Sequence, residues 1–129
     1  MLSEVLAPKQ IKEDAESLQI WGKDWTNGFV VAPSAIVFPE SIEQLQDLVA
    51  HARSNHLKLV PSGGRTGLSG GAVASQGEVV VSFDRMNQIL DFSPKDRIVT
   101  CQPGLITANL QAFAAEQGLF YPVDFASSG

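Results

Sequence analysis

Cysteine, clustered basic residues and long apolar runs are scarce in this chain, and each scarcity excludes a class of protein. Cys101 is the single cysteine among 129 residues, which excludes an internal disulfide framework and fits a reducing compartment. The nine Lys and Arg residues are scattered and the net charge is -5. This balance argues against nucleic-acid binding, because such binding depends on clustered positive charge.

Neither the N-terminus nor the most apolar segment carries an export or membrane signal. Residues 1–14 lack the apolar stretch of a signal peptide. Residues 29–38 are interrupted by Pro33, and they are about half as long as the roughly 20 residues that a membrane span needs. We therefore expect a cytoplasmic protein with no transmembrane segment.

A chain of this length, with 44% hydrophobic residues, suits one domain with a packed core. We predict a single partial domain with a helical segment over 1–34, a first subdomain over 35–83 and the start of a second over 84–129. His51 and His56 are the only histidines. We expect them to be solvated or to cap a helix, and no metal site, because two histidines and one cysteine are too few ligands.

The first half of the chain predicts a strand–helix–strand unit. Residues 9–18 have apolar positions at helical spacing and predict a short helix. Residues 35–38 predict a buried strand, and a helix follows that begins with a capping box of Ser41 and Gln44 and ends near Asn55. A second strand over 57–60 should then run parallel to the first. The helix is expected to bury Ile42, Leu45, Leu48, Val49 and Ala52 and to expose Glu43, Gln44, Asp47 and His51.

The second half predicts strands, a hairpin and a helix. Residues 79–83 predict a strand, and residues 89–92 and 97–101 predict a hairpin across a Ser-Pro-Lys-Asp turn. A helix is expected from near Thr107 to Gly118 with Leu110, Phe113 and Ala114 inward, followed by a short strand over 120–122. We further expect a buried Cys101 and a local ion pair between Asp84 and Arg85.

Residues 61–74 (PSGGRTGLSGGAVA) form a loop with five glycines in nine positions, directly after the predicted second strand. Successive amides in such a loop can converge on an anion, and ligands of α/β layers bind at this edge of the sheet. The loop contains no lysine, so it is not a P-loop, and it lacks the G-x-G-x-x-G spacing. Composition alone leaves two interpretations, a diphosphate cradle and a flexible surface loop.

Residues 60–71 (VPSGGRTGLSGG) resemble the pyrophosphate loop of FAD-linked oxidases and dehydrogenases of the vanillyl-alcohol-oxidase type. The resemblance extends to the Asp24-Trp25-Thr26 segment, to residues 36–45, to residues 102–105 (QPGL) and to residues 118–129 (GLFYPVDFASSG). Within that superfamily, GRTGLSGG is similar to the branch of D-lactate, glycolate and D-2-hydroxyglutarate dehydrogenases.

The resemblance implies an α+β chain with the PCMH-type FAD-binding fold, in which the first subdomain is followed by the start of a second, mixed sheet. It implies non-covalent FAD, because residues 61–74 contain no histidine or cysteine that could link to it. Trp21 and Trp25 are interpreted as core anchors rather than as flavin-stacking groups. The implied FAD-binding residues are Pro61, Ser62, Gly63, Gly64, Arg65, Thr66, Gly67, Leu68, Ser69, Gly70, Pro122, Asp124, Ser127, Ser128 and Gly129.

The implied reaction is oxidation of a small-molecule 2-hydroxy acid to the 2-oxo acid, with hydride transfer to FAD. Three alternatives stay open: a non-catalytic nucleotide- or phosphate-binding module, a subunit that completes its site with a partner chain, and a flavin reductase of cell-wall precursor synthesis. Because the chain ends inside a Gly/Ser stretch, we expect it to be part of a longer protein. The family's catalytic histidines and metal ligands match no residue here, and a homo-oligomer or an electron-acceptor subunit is compatible with the resemblance.

Overall fold

The computed structural model of the chain describes residues 1–127, and it is an α+β structure with two sheets. Two short 3-10 turns, Leu2–Glu4 and Pro8–Gln10, precede the first strand. The strands are β1 Ile11–Lys12, β2 Ala35–Val37, β3 Leu59–Ser62, β4 Val79–Ser82, β5 Ile89–Ser93 and β6 Ile98–Cys101. The helices are α1 Ala15–Trp21, α2 Ile42–Ser54 and α3 Thr107–Glu116.

The first sheet has the strand order β1-β2-β4-β3. Strands β2 and β3 both run parallel to β4, which lies between them, so the predicted strand–helix–strand unit is confirmed. Every residue of β2 and β4 is buried, as expected for parallel strands that are covered on both faces. One face packs Val37 and Val81 against Leu48 of α2, and the other packs Ile36 and Val80 against Ala74.

Helix α2 begins as the capping pattern predicts, because the Gln44 N–H donates to Oγ of Ser41. Leu48 and Ala52 are buried as predicted. Ile42 and Val49 were also predicted to face inward, and this was wrong, since they expose 54% and 50% of their surface. The inward stripe of the helix is therefore narrower than its apolar pattern suggests.

The prediction that His51 faces water was wrong. The turn Leu2–Glu4 places its Glu4 carboxylate 3.6 Å from Nδ1 of His51, whose side chain is 8% exposed. Gln44, also predicted to face water, is half-buried instead and accepts a hydrogen bond from the buried Gln10 amide. In both cases the N-terminal segment covers a part of α2 that the helix pattern alone leaves exposed.

The predicted helix over residues 9–18 was wrong in its first half. Ile11 and Lys12 form β1, which pairs antiparallel with β2, and the Phe38 N–H donates to the Gln10 carbonyl. The helix starts later, at Ala15, where the Asp14 carboxylate caps it by accepting from the Ser17 N–H. Pairing with the edge of the sheet overrides the weak local helical spacing.

The second sheet is the predicted hairpin of β5 and β6. Helix α3 packs on it through an edge-to-face pair of Phe92 and Phe113, with ring centroids 5.3 Å apart. Leu110, Phe113 and Ala114 are half-buried, which agrees with the predicted inward face. The short strand expected over 120–122 does not form.

Three further expectations about side chains were wrong. Cys101 is exposed, although it lies with Val99 on the face of the hairpin that α3 partly covers. Trp25 is 72% exposed and anchors no core, whereas Trp21 packs edge-to-face on Phe38. Asp84 pairs with Arg65 rather than with its neighbour Arg85, which contacts Glu40. None of the helices in residues 1–127 has the length and apolar character needed to span a membrane.

Candidate functional site

The glycine loop borders a cleft of about 460 Å³ at the carboxyl end of β3 and β4. The opposite wall consists of residues 103–107 and Asn109, with Phe125 and Ser127 at one side. Asp84 and Asn87, which follow β4, complete the lining. A larger depression of about 620 Å³ lies at the amino ends of β2 and β4, but it is not bordered by the loop. The carboxyl edge is the usual place for ligands of parallel sheets, so we take the cleft as the candidate site.

The loop has two parts with different partners. Residues 63–66, the inner limb, line the cleft, whereas residues 67–74, the outer limb, contact the N-terminal segment. Within residues 1–127, the seven backbone N–H groups of residues 63–69 donate no hydrogen bond. Because these N–H groups are left to solvent, a run of them beside a cleft is available to a polyanionic ligand.

The inner limb has the shape that a cradle for such a ligand needs. A β-carbon added at Gly63 would meet no atom within 4 Å, so the space beside it is open. Arg65 has a φ of 58°, in the left-handed region that nests use to turn successive amides to one side. The limb therefore presents backbone to the cleft with little side-chain obstruction.

The side chain of Arg65 lies at the margin of the cleft in a network with Asp84 and Trp21. Its Nη1 is 3.2 Å from Oδ1 of Asp84, and its guanidinium carbon is 5.6 Å from the centroid of the Trp21 ring. The indole Nε1–H of Trp21 donates to the other oxygen of Asp84 at 2.9 Å. The network holds the guanidinium of Arg65 beside the inner limb, with its charge balanced by Asp84, and a planar guanidinium suits phosphate oxygens.

The outer limb is held by residues 24–26. The Trp25 N–H donates to the Gly67 carbonyl, and the Gly70 N–H donates to Oγ1 of Thr26. The Asp24 carboxylate accepts from the Thr26 N–H at 2.7 Å. Burial alone would raise the pKa of Asp24, but hydrogen bonds from Thr26, with help from the N–H groups of Ala72 and Gly70, hold that pKa below the usual range of an aspartate.

The wall opposite the loop depends on Gly104 of the QPGL segment. A β-carbon there would collide with the Phe83 carbonyl oxygen and would lie 2.8 Å from that of Met86. The Gly104 N–H donates to the same Met86 carbonyl at 2.8 Å. Only glycine permits this close approach, which brings the first turn of α3 to the cleft.

The structure separates the predicted FAD-binding residues into groups. Gly63, Gly64, Arg65, Thr66 and Ser127 line the cleft. Pro61 and Ser62 belong to the edge strand β3, and Ser62 secures the start of the loop because its carbonyl accepts from the Phe83 N–H. The Ser62 hydroxyl is buried and has no hydrogen-bond partner within residues 1–127.

The remaining predicted residues do not line the cleft. Gly67, Leu68, Ser69 and Gly70 belong to the outer limb, and Leu68 is 76% exposed. Pro122 and Asp124 are exposed and outside the lining. Ser128 and Gly129 lie outside the described residues. The assignment of these side chains to FAD stays a prediction.

Sequence reasoning missed several residues of the cleft. Asp84 and Asn87 could have been found from the parallel topology, because β4 ends at the same edge as β3. Phe125 lies within a segment that the resemblance marked, without being singled out. The lining residues that were not predicted are Asp84, Asn87, Pro103, Gly104, Leu105, Ile106, Thr107, Asn109 and Phe125.

Comparison with known proteins agrees with this geometry. The sequence profile of the family described as FAD binding domain matches residues 33–129. The chain is 60% identical over 128 residues to a D-2-hydroxyglutarate dehydrogenase of Stutzerimonas stutzeri, covering 99% of this chain and 28% of that protein. It is 44% identical over 128 residues to a D-2-hydroxyglutarate dehydrogenase of Xanthomonas citri pv. viticola, covering 99% of this chain and 27% of that protein.

The chain therefore spans little more than a quarter of the length of these relatives. Among solved structures, p-cresol methylhydroxylase with bound substrate superposes with a TM-score of 0.79 at 20% identity, covering 92% of this chain and 24% of that one. At this identity the likeness concerns the fold alone, and it confirms the predicted PCMH-type fold.

Proposed function

Because the chain belongs to the FAD binding domain family, we propose that it holds FAD in an enzyme that oxidises a 2-hydroxy acid to the 2-oxo acid. The names of the two relatives favour D-2-hydroxyglutarate as that acid. The observation that carries the proposal is the inner limb, whose N–H groups donate no hydrogen bond within residues 1–127 and border an open cleft.

The inner limb would hold the pyrophosphate of FAD through these backbone N–H groups. They are neutral donors, and the guanidinium of Arg65 adds further N–H donors at the margin of the cleft, where Asp84 balances its charge. The open space beside Gly63 lets a phosphate oxygen approach the backbone closely. On the far side, the close approach at Gly104 lets residues 105–107 form the wall that faces the inner limb. The residues of this chain thus bind and orient the cofactor.

When bound, FAD would supply the redox chemistry, as the acceptor of the hydride from the α-carbon of the substrate. We assign no catalytic residue to this chain and place the substrate-facing groups elsewhere in the protein. We propose non-covalent binding, because no histidine or cysteine lines the cleft within residues 1–127. The single cysteine supports a cytoplasmic location.

A pair of glycine variants tests the assignment in the protein at its natural full length. Gly63→Val places a branched side chain at the cleft, where its β-carbon meets no atom within 4 Å, and neither Gly63 nor Gly71 has a positive φ. We expect Gly63→Val to lower bound FAD at least tenfold, because the side chain occupies the position of the pyrophosphate. The measurement is FAD per chain after gel filtration, with circular dichroism as the folding control.

Gly71→Val is the matched control, since Gly71 is equally open and lies outside the cleft. It should keep its FAD. Gly77 is a poorer control, because its φ of 79° makes any side chain strained. If both Gly63→Val and Gly71→Val keep FAD, the loop is a connector and the proposed function loses its structural basis.

A further inference from the structure

We propose that Asp24 is a positioning residue for the glycine loop: with Thr26 it fixes the outer limb, so that the free N–H groups of the inner limb face the cleft. This proposal rests on the proposed function. Asp24 itself does not line the cleft. It would act on FAD through the backbone conformation of residues 63–70.

The contacts form a continuous path from Asp24 to the loop. Oδ1 of Asp24 accepts from the Thr26 N–H at 2.7 Å, which shapes the turn that presents the Thr26 hydroxyl. That hydroxyl accepts from the Gly70 N–H at 2.8 Å, and between these two contacts the Trp25 N–H donates to the Gly67 carbonyl at 3.1 Å. Both ends of the segment from Gly67 to Gly70 are thereby tied to residues 25 and 26.

Asp24 also limits how closely the loop can approach it. A β-carbon at Gly67 would lie 3.3 Å from Oδ2 of Asp24, tighter than ordinary van der Waals contact. The loop therefore rests directly on this carboxylate. Gly70 is similarly close to the ring of Phe29, where an added β-carbon would lie 2.8 Å from the ring edge. Glycine at positions 67 and 70 serves contact with the N-terminal segment, whereas Gly63 faces open space.

The charge of Asp24 is stabilised by donors rather than by a basic residue. The side chain is buried and forms no ion pair within residues 1–127. Its hydrogen bonds to Thr26 and the nearby N–H groups of Ala72 and Gly70 favour the ionised form. An asparagine would keep the volume, but its NH₂ group is a donor and would oppose these donors. The carboxylate is therefore specifically suited to this position.

The hydrogen bonds of residues 24–26 stabilise the loop more than the core. Trp25, which bonds to one end of the tied segment, and Leu68, which lies within it, are 72% and 76% exposed. Loss of these hydrogen bonds should therefore change the geometry of the loop more than the global stability of the protein. This distinguishes a positioning residue from a purely structural one.

The test compares Asp24→Asn and Thr26→Val with Thr26→Ser, which retains the hydroxyl, in the protein at its natural full length. Asp14→Asn is the matched control, because Asp14 also accepts a backbone N–H but caps α1. We expect a dissociation constant for FAD about tenfold higher in Asp24→Asn and Thr26→Val, the size of effect that follows from weakening one of the hydrogen bonds that hold the loop. Thr26→Ser and Asp14→Asn should stay within about twofold of wild type.

A second measurement needs no cofactor. In the FAD-free protein, hydrogen exchange at the Gly70 N–H should be slow in wild type and in Thr26→Ser and faster in Thr26→Val and Asp24→Asn. If Asp24→Asn does not fold, the comparison of Thr26→Val with Thr26→Ser by itself tests the positioning role. If the wild type binds FAD and the folded variants bind it with the same affinity, the positioning role is overturned and the proposed function is unaffected. Failure of the wild type to bind FAD overturns both.

Discussion

The two sheets of this chain differ sharply in how completely their side chains are buried. In the first sheet, β2 and β4 are buried throughout, and Leu48 of α2 is fully enclosed. In the second, α3 has no buried residue, and Leu90 and Ile98 of the hairpin are 54% and 60% exposed. Within residues 1–127 the first region has a complete core, and the second has one partly covered layer.

The candidate cleft lies between these unequal regions. The first contributes the inner limb through β3, and the second contributes residues 103–107 and Asn109. A ligand that bridges them stabilises the folded form of both, by an amount that grows with the logarithm of the ratio of its concentration to its dissociation constant. The comparison thus predicts that the second region gains more order from FAD than the first.

The largest expected effect comes from truncating a leucine in each region. Leu48→Ala removes a fully buried side chain from the first core, and we expect it to lower the free energy of unfolding by about 3 kcal/mol. Leu110→Ala makes the same chemical change in half-buried α3, where we expect about 1 kcal/mol because less apolar area is lost. Urea denaturation measures both. Equal losses would show that the second region is as tightly packed as the first.

A smaller effect is expected at the junction of the regions. Gly104→Ala should lower the free energy of unfolding by about 2 kcal/mol, because the new β-carbon forces the Phe83 and Met86 carbonyls apart. It should also weaken FAD binding, since it displaces the wall opposite the loop. Gly71→Ala, in open space, is the control for urea denaturation and FAD titration. An unchanged Gly104→Ala protein would mean that the two regions are not joined by this close contact.

The smallest effect is expected at Cys101. Because its side chain is exposed on the second sheet, Cys101→Ser should change the free energy of unfolding by less than about 0.5 kcal/mol. In the native protein its thiol should react completely with a thiol reagent such as dithionitrobenzoate. If the thiol reacts only after denaturation, Cys101 is buried in the native protein, and the second sheet is less exposed than the comparison of the two regions states.

Sequence patterns predicted the first region well where burial is uniform. The apolar runs of β2 and β4 and the Ser41 cap of α2 are local signals, and each is found in the structure. The failures involve contacts from distant segments, such as the cover of His51 by Glu4 and the pairing of Ile11 with β2. Local periodicity carries no information about such partners.

In the candidate site, too, local signals were predicted from the sequence and contacts between distant residues were not. The five glycines marked the loop, yet nothing in their spacing distinguishes Gly63, which faces the cleft, from Gly67, which rests on Asp24. The network of Arg65, Asp84 and Trp21 joins residues up to 63 positions apart. Such a network follows from the sheet order, which the sequence indicates only in outline.

Hydrogen exchange at residues 63–69, with and without FAD, tests the central claim most directly. None of these N–H groups donates a hydrogen bond within residues 1–127, so they should exchange fast in the FAD-free protein. When FAD binds, exchange over residues 63–66 should slow strongly. The Ala74 N–H, already bonded to the Gly22 carbonyl, should change little. If FAD binds while residues 63–66 exchange as fast as before, the loop does not hold the pyrophosphate, and the central claim is contradicted.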